Sequence, residues 1–243
     1  MKTDNLKRIK SKIISIESSR WWGDDFDVRF YLISQIKALS QKIILDLGGG
    51  IGIISSEVDK SNFRINLDSS FSDLLICKNK VDSQINNICA SMTNLPLQEN
   101  SIEYVICANL LEEAKKFDIE KKANNENHFP TVEKTLKESY RILKKEGKFF
   151  ATTPNNEFYN TTKLSYSELK ESMNRIFDDV KINFYNTHKR LKKKNRKLNM
   201  ANIIPKLSSK FQNYDNVINS LIKSKSKNNY SISFYVEAKC KKT

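Results

Sequence analysis

Short apolar runs alternate with amphipathic segments through the middle of the chain. The runs are 42–47, 63–68, 85–90, 103–108 and 147–153. The first is almost fully apolar and ends in glycines, as is typical of a central parallel strand that is buried on both faces, and the others are similar short runs. The segments 71–82 and 131–145 have the helical spacing of apolar positions, and Gly147 marks the end of the second. This alternation predicts an α/β domain with a parallel, doubly wound sheet.

The pattern continues on both sides of these runs. Segments 5–18 and 26–38 precede them and 165–178 follows them, each with the spacing of a helix. The stretches 181–186 and 230–240 predict two further strands, and the second of them alternates strongly between apolar and polar residues.

The positive charge of the chain is concentrated in its last quarter. The sequence has 42 Lys and Arg against 28 Asp and Glu, a net charge of +14, yet the part before Lys181 holds 26 of each sign. The run KRLKKKNRK at 189–197 has seven basic residues in nine, and an amphipathic segment follows at about 200–223. This pairing predicts contact with an anionic membrane surface. A nucleic acid or a merely solvated lysine-rich face stays an alternative, although the run lacks aromatic residues that stack on bases.

The cysteines indicate a reducing compartment. Cys77, Cys89, Cys107 and Cys240 are scattered without a CxxC pair, and three of them stand in apolar runs, where a thiol packs as a small hydrophobic group. No cluster of His and carboxylates indicates a metal site. No apolar stretch has the length of a signal peptide or a membrane span, so we expect a cytoplasmic protein, peripheral at the membrane if the basic run binds there.

The first predicted strand ends in a glycine-rich turn, ILDLGGGIG at 44–52. A ligand can approach a backbone closely only where side chains are absent, and the next helix offers free N–H groups. Gly48, Gly50 and Gly52 have G-x-G-x-G spacing, whereas a dinucleotide-binding enzyme needs a third glycine at the position of Ile53. The spacing therefore argues against an oxidoreductase. Nor does the turn match a phosphate-binding P-loop.

Asp68 ends the next predicted strand, 20 residues after Gly48. An acid in that place can accept hydrogen bonds from both ribose hydroxyls of a nucleoside. Taken alone, the glycine-rich turn is explained by a tight strand-to-helix connection, and Asp68 is explained by a helix cap. The spacing between the two favours a nucleoside site.

These residues resemble the class I S-adenosylmethionine-dependent methyltransferases, particularly the branch that modifies quinones, lipids and sugars. ILDLGGGIG matches the family's acid-x-Gly-x-Gly-x-Gly signature with Asp46 as the acid, and Asp68 falls on its ribose-binding acid. The stretch ICASMTNLPLQENSIEYVICANLLEE at 88–113 is similar to the adenine-contacting turn and fourth strand, and RILKKEGKFFATTPN at 141–155 to the fifth strand and the turn before it.

The resemblance implies a Rossmann-like sheet of seven strands, mostly parallel with an antiparallel last strand. It implies an N-terminal helical lid at 1–40, an S-adenosylmethionine-binding domain at 41–187 plus 229–243, and a basic helical insertion at 188–228 between the last two strands. The residues implied in cofactor binding are Arg29, Asp46, Gly48, Gly50, Gly52, Asp68, Ser91, Met92 and Asn109.

Two departures from the family bear on chemistry. Ser91 stands where relatives usually have an Asp for the adenine amino group, and Glu112 and Glu113 stand near the position of a frequent His. The second departure removes the obvious general base, and no catalytic residue is assigned. Methyl transfer from a sulfonium is an in-line displacement. Its rate depends mainly on alignment of the donor methyl with the acceptor and on exclusion of water, so a base is optional. Trp21, Trp22, Arg29 and Tyr31 are predicted near the pocket as part of the lid, and His128 and His188 are further candidates for taking a proton.

The sequence therefore predicts a methyltransferase for a small-molecule, lipid-linked or glycan acceptor, acting by O-methylation. An RNA or protein methyltransferase that docks through the basic region is the alternative. A noncatalytic S-adenosylmethionine-binding module is a third reading, which the serine at position 91 supports.

Overall fold

The computed structural model describes residues 26–121, 129–154, 164–186 and 232–242. These residues form one seven-stranded sheet with the order β3-β2-β1-β4-β5-β7-β6. Its strands are β1 (Ile43–Leu47), β2 (Phe63–Asp68), β3 (Asn86–Cys89), β4 (Ile102–Ala108), β5 (Leu143–Pro154), β6 (Asp179–Asn186) and β7 (Ile232–Lys239). β7 is antiparallel to both of its neighbours and the other pairs are parallel. The predicted fold class, with its antiparallel last strand, is confirmed.

Helices cover both faces of the sheet. They are α1 (Phe26–Ile36), α2 (Ile53–Glu57), α3 (Phe71–Ile76), α4 (Leu110–Glu120), α5 (Pro130–Ile142) and α6 (Tyr166–Asn174). One apolar cluster joins α1 and α2 to the sheet through residues such as Leu32, Ile53 and Ile106. The other joins α4, α5 and α6 to the opposite face through residues such as Leu111 and Leu136. Within the described ranges no helix combines the length and apolar character that a membrane crossing needs.

The helices predicted at 26–38, 131–145 and 165–178 end earlier than the periodicity indicates, at Ile36, Ile142 and Asn174. α5 stops at Ile142 rather than 145, because Leu143 already adopts an extended backbone and pairs with Ile102 of β4. The predicted helix 71–82 divides into α3 and a π-helical turn, Cys77–Val81. This turn places the buried Cys77 thiol against the glycine-rich segment.

The strand order fixes where a ligand can bind. β1 lies between β2 and β4, so the connections that leave β1 and β4 depart in opposite directions along the sheet. A crevice opens at the carboxyl ends of strands where the order reverses in this way. The predicted helix 5–18 and the predicted insertion 188–228 lie outside the described residues.

Candidate active site

A cavity of about 1040 Å³ opens at the carboxyl ends of β1 to β4. Eight of the nine predicted cofactor residues line it: Arg29, Asp46, Gly48, Gly50, Asp68, Ser91, Met92 and Asn109. They come from α1 and from the ends of four strands, up to 80 positions apart in the sequence. The ninth, Gly52, is not among the lining residues, so its predicted contact with the cofactor is not supported by its position.

The glycine-rich turn needs a left-handed backbone at three positions. Gly48, Gly50 and Gly52 have φ angles of 69°, 53° and 73°, a region that residues with a Cβ rarely adopt. The turn is tied to β2, since Gly48 N donates to Leu67 O at 2.7 Å and Gly50 N donates to Asp68 Oδ2 at 2.8 Å. β2 thus sets the shape of the loop that follows β1.

The glycines differ in what surrounds them. A Cβ on Gly50 would point into the open cavity, with no atom closer than 3.9 Å. A Cβ on Gly52 would collide with the Cys77 Sγ, and one on Gly48 would lie 2.7 Å from the Leu110 side chain. Gly50 is therefore the position where a missing side chain leaves room for a ligand, whereas Gly48 and Gly52 permit close packing of the protein itself.

Asp68 links the turn to the next helix. Its Oδ2 accepts the Gly50 N–H, and its Oδ1 accepts the Ser70 N–H at 2.8 Å. Ser70 in turn caps α3, because its hydroxyl accepts the N–H of Asp73 at 3.3 Å. The carboxylate of Asp68 is held in one orientation at the cavity wall, with lone pairs left for a ligand.

Asp46 is buried beneath the turn at 1% exposure. Its Oδ2 accepts two hydrogen bonds from Ser55, from the backbone N–H at 3.1 Å and from the hydroxyl at 2.8 Å, while its Oδ1 has no partner among the described residues. Burial raises the pKa of Asp46 to about 6, although the Ser55 hydrogen bonds and the positive charge of Arg29 pull it down. A cationic ligand group could satisfy the remaining oxygen.

The raised pKa of Asp46 predicts pH-dependent binding of a cation in this cavity. A bound positive charge stabilises the ionised carboxyl, so affinity for S-adenosylmethionine should rise about tenfold from pH 5 to pH 7 and binding near pH 6 should release a proton. Calorimetry in buffers of different ionisation enthalpy measures both quantities. Asp46→Asn should flatten the profile, and a wild-type affinity that is constant over this range would contradict the prediction.

The same shift has a consequence for the free protein. A carboxyl whose pKa rises on folding binds its proton more tightly in the folded state than in the unfolded state. Its contribution to stability is therefore full below pH 4 and declines as the pH rises through about 6.

Ser91 closes the turn that follows β3. Its hydroxyl accepts the Thr93 N–H at 3.3 Å and contacts the Thr93 hydroxyl at 3.0 Å, and its carbonyl accepts the Asn94 N–H. Ser91 is exposed and lines the cavity, and its contact with adenine stays a prediction. Cys89, just before it, is exposed and also lines the cavity, unlike the buried Cys77, Cys107 and Cys240.

Asn109 is the N-cap residue of α4 and lines the cavity after the end of β4. It has a left-handed φ of 58°, its N–H donates to Thr152 O at 2.7 Å, and its Oδ1 accepts the Thr152 hydroxyl at 3.0 Å. This sharp turn places Glu112 and Glu113, in the first turn of α4, on the cavity wall. Acids there also suit the positive end of the helix dipole.

Some predicted residues lie outside the described part of the chain: Trp21, Trp22, His128, His188 and the run 189–197. Tyr31 packs edge-to-face on Tyr235 with ring centroids 5.0 Å apart, which is the packing role of a core aromatic. Among the described residues no group of three His, Cys, Asp or Glu is arranged to hold a metal ion.

Gly49 and Asp73 are among the lining residues to which sequence reasoning assigned no role. Gly49 belongs to the glycine run of the sequence, but the sequence does not show that Gly49 packs against Asn66 and Asp46. The only signal for Asp73 is an acid placed five residues after Asp68, in the first turn of the next helix.

Comparison with known proteins agrees with this geometry. Residues 45–151 match the family model of the methyltransferase domain. The chain is 28% identical over 177 residues to the ubiquinone/menaquinone biosynthesis C-methyltransferase UbiE of Rickettsia bellii; the match covers 68% of this chain and 58% of that protein. The chain thus spans less than two thirds of the length of the curated relative it matches.

Solved structures show the same fold. An S-adenosylmethionine-dependent methyltransferase of Thermotoga maritima, described as a possible histamine N-methyltransferase, has a TM-score of 0.54 at 15% identity, over 98% of this chain and 100% of that one. Phosphoethanolamine N-methyltransferase 2 of Haemonchus contortus, solved with S-adenosyl-L-methionine, has a TM-score of 0.55 at 16% identity, over 88% of this chain and 52% of that one.

Proposed function

We propose that the protein transfers a methyl group from S-adenosylmethionine to a small acceptor. Residues 45–151 match the family model of the methyltransferase domain, and the chain has the class I methyltransferase fold. The observation that carries the proposal is the cavity. At its wall Gly50 leaves room for a nucleoside, and Asp68 at the end of β2 can accept hydrogen bonds from the ribose.

The residues present fit the cofactor. Gly50 leaves open space in front of the turn, and the unpartnered Asp46 Oδ1 offers a buried acceptor for a cationic group. Asp68 would accept the ribose hydroxyls, and Ser91 with Met92 would contact the adenine. Arg29, whose charge acts on Asp46, would pair with the carboxylate of the methionine part. Backbone groups of Gly48 and Asn109 complete the proposed contacts.

The sheet order gives the cofactor a direction. A nucleoside held after β2 and β3 directs the methionine end towards β1 and β4. When bound, the sulfonium supplies an electrophilic methyl group. The protein contributes alignment and exclusion of water, and the acceptor would enter from the β4 side, where α4 begins.

The Glu113 carboxylate indicates which kind of atom receives the methyl group. Glu113 is exposed and lines the wall in the first turn of α4. A carboxylate only accepts hydrogen bonds, so it favours an acceptor that carries a proton on the attacking atom. We infer a hydroxyl, as in O-methylation, with an amine as the second candidate. A lipid-linked or glycan acceptor and contact of 189–197 with an anionic membrane stay predictions from the sequence.

Glu113→Gln tests this assignment. The variant removes the charge and keeps the size, so methylation of the best hydroxyl or amine acceptor should fall about tenfold or more in kcat/KM, while affinity for S-adenosylhomocysteine stays within about twofold. The acceptor is found by incubating the protein with small alcohols, phenols, amines and quinols and detecting methylated products by mass spectrometry.

Glu120→Gln is the matched control, since Glu120 ends the same helix, is exposed and does not line the cavity. It should leave both quantities unchanged. Methylation confined to carbon, with no effect of Glu113→Gln, would overturn the hydroxyl assignment. Methylation of RNA or protein alone would favour the alternative that docks through the basic region.

A further inference from the structure

Two carboxylates, and not one, face the open space in front of Gly50. An ideal Cβ on Gly50 would lie 3.9 Å from Asp68 Oδ2 and 4.0 Å from Asp73 Oδ2. Asp68 ends β2, whereas Asp73 belongs to the first turn of α3, and both line the cavity. The short connection between these elements therefore brings two acids to the same point.

The two carboxylates are engaged differently. Each oxygen of Asp68 already accepts a backbone N–H, from Gly50 and from Ser70. The described residues donate no hydrogen bond to the Asp73 carboxylate, and Asp73 holds the local structure through its backbone N–H, which donates to Ser70 Oγ. The Asp73 side chain is thus half-buried on a ligand-facing wall and is not needed to form the turn.

We propose that Asp73 is a second ribose-binding residue, which accepts a hydrogen bond from one ribose hydroxyl while Asp68 accepts one from the other. A ribose carries two neighbouring hydroxyl donors, and a hydrogen bond to an ionised acceptor is stronger than one to a neutral acceptor. The sugar lies between the two acids, in the space that a side chain on Gly50 would fill. The inference rests on the proposed cofactor site and is independent of the acceptor.

Asp73→Asn tests the inference by removing the charge at constant size. Calorimetry measures the affinity of wild type and variant for S-adenosylhomocysteine and for its 2′-deoxy and 3′-deoxy analogues. We expect Asp73→Asn to weaken S-adenosylhomocysteine binding about tenfold or more. For one of the two analogues the variant and the wild type should bind almost equally, because the hydroxyl that Asp73 contacts is already gone.

Two further variants fix the interpretation. Asp68→Asn should show the same insensitivity towards the other analogue, since it contacts the other hydroxyl. Asp59→Asn is the control, because Asp59 is an exposed acid that accepts the Ser61 N–H and does not line the cavity; it should change no affinity. Thermal unfolding of each variant verifies that the fold is kept.

Equal affinity of wild type and Asp73→Asn for S-adenosylhomocysteine overturns the inference. So does an equal loss for all three ligands, because the charge would then act at a distance and not through a hydroxyl. Failure of the wild type to bind S-adenosylhomocysteine is a separate result that sinks the proposed cofactor site together with the inference.

Discussion

Gly50→Val is expected to weaken S-adenosylmethionine binding at least about 100-fold while the protein stays folded. The valine methyl groups would occupy the space between Asp68 and Asp73, where the structure has no atom within 3.9 Å of the Cβ position. Valine is also poorly suited to the left-handed backbone at φ 53°, which costs about 1–2 kcal/mol of stability. Calorimetry and thermal unfolding measure the two effects separately.

Gln41→Val controls for the backbone strain. Gln41 has a comparable φ of 56°, is exposed, and precedes β1 at the end of the strand opposite the cavity. It should lower stability by a similar amount without changing affinity for the cofactor. A folded Gly50→Val protein that binds S-adenosylmethionine as the wild type does would show that this cavity is not the cofactor site.

Gly49→Ala is expected to destabilise the protein by about 3 kcal/mol and lower its Tm by about 6–12 °C. The φ of Gly49 is outside the left-handed region, so the loss comes from space and not from backbone strain. The new Cβ would overlap Asn66 Oδ1 and lie 2.6 Å from Asp46 Cγ. Neither side chain can retreat, because both are buried and Asn66 Nδ2 donates to Gly50 O at 2.9 Å and to Asn87 Oδ1 at 3.1 Å.

A double variant separates overpacking from other causes. Asn66→Ala alone removes buried hydrogen bonds and should destabilise the protein, but in the Gly49→Ala background it also removes the overlap with Asn66 Oδ1. The double variant should therefore be more stable than the sum of the two single losses. Simple additivity, measured by denaturant unfolding, would rule out this explanation.

The strands could be predicted because their signal is local. The run 63–68 coincides with β2, because its apolar residues Phe63, Ile65 and Leu67 recur at every second position, which is the period of a strand. The end of α5 could not be predicted, because Arg141 and Leu143 continue the amphipathic pattern. Pairing of Leu143 with Ile102, which are distant in sequence, ends the helix there.

The cofactor residues also differ in whether a local signal or a contact between distant residues decides their role. Gly50 and Asp68 were predicted because the glycine-rich turn is a local motif and Asp68 follows it at a recognisable spacing. Gly52 shares the motif but packs against Cys77, a contact created by the π-helical turn. Asp73 has no motif, and only the connection from β2 to α3 shows that it faces the same space as Asp68. The position of a glycine in the motif therefore does not show whether it faces the ligand or packs inside the protein.

The placement of β7 has a consequence for how the chain folds. β6 has β7 as its strand neighbour in the described sheet, and β7 also pairs with β5 along its length. During synthesis β6 emerges before its partner, because residues 187–231 separate the two strands, and at about 5–20 residues per second that interval lasts roughly a few seconds. Until then β5 and β6 both present open backbone edges, which favour association with other chains. Chaperone demand should therefore be greatest late in translation.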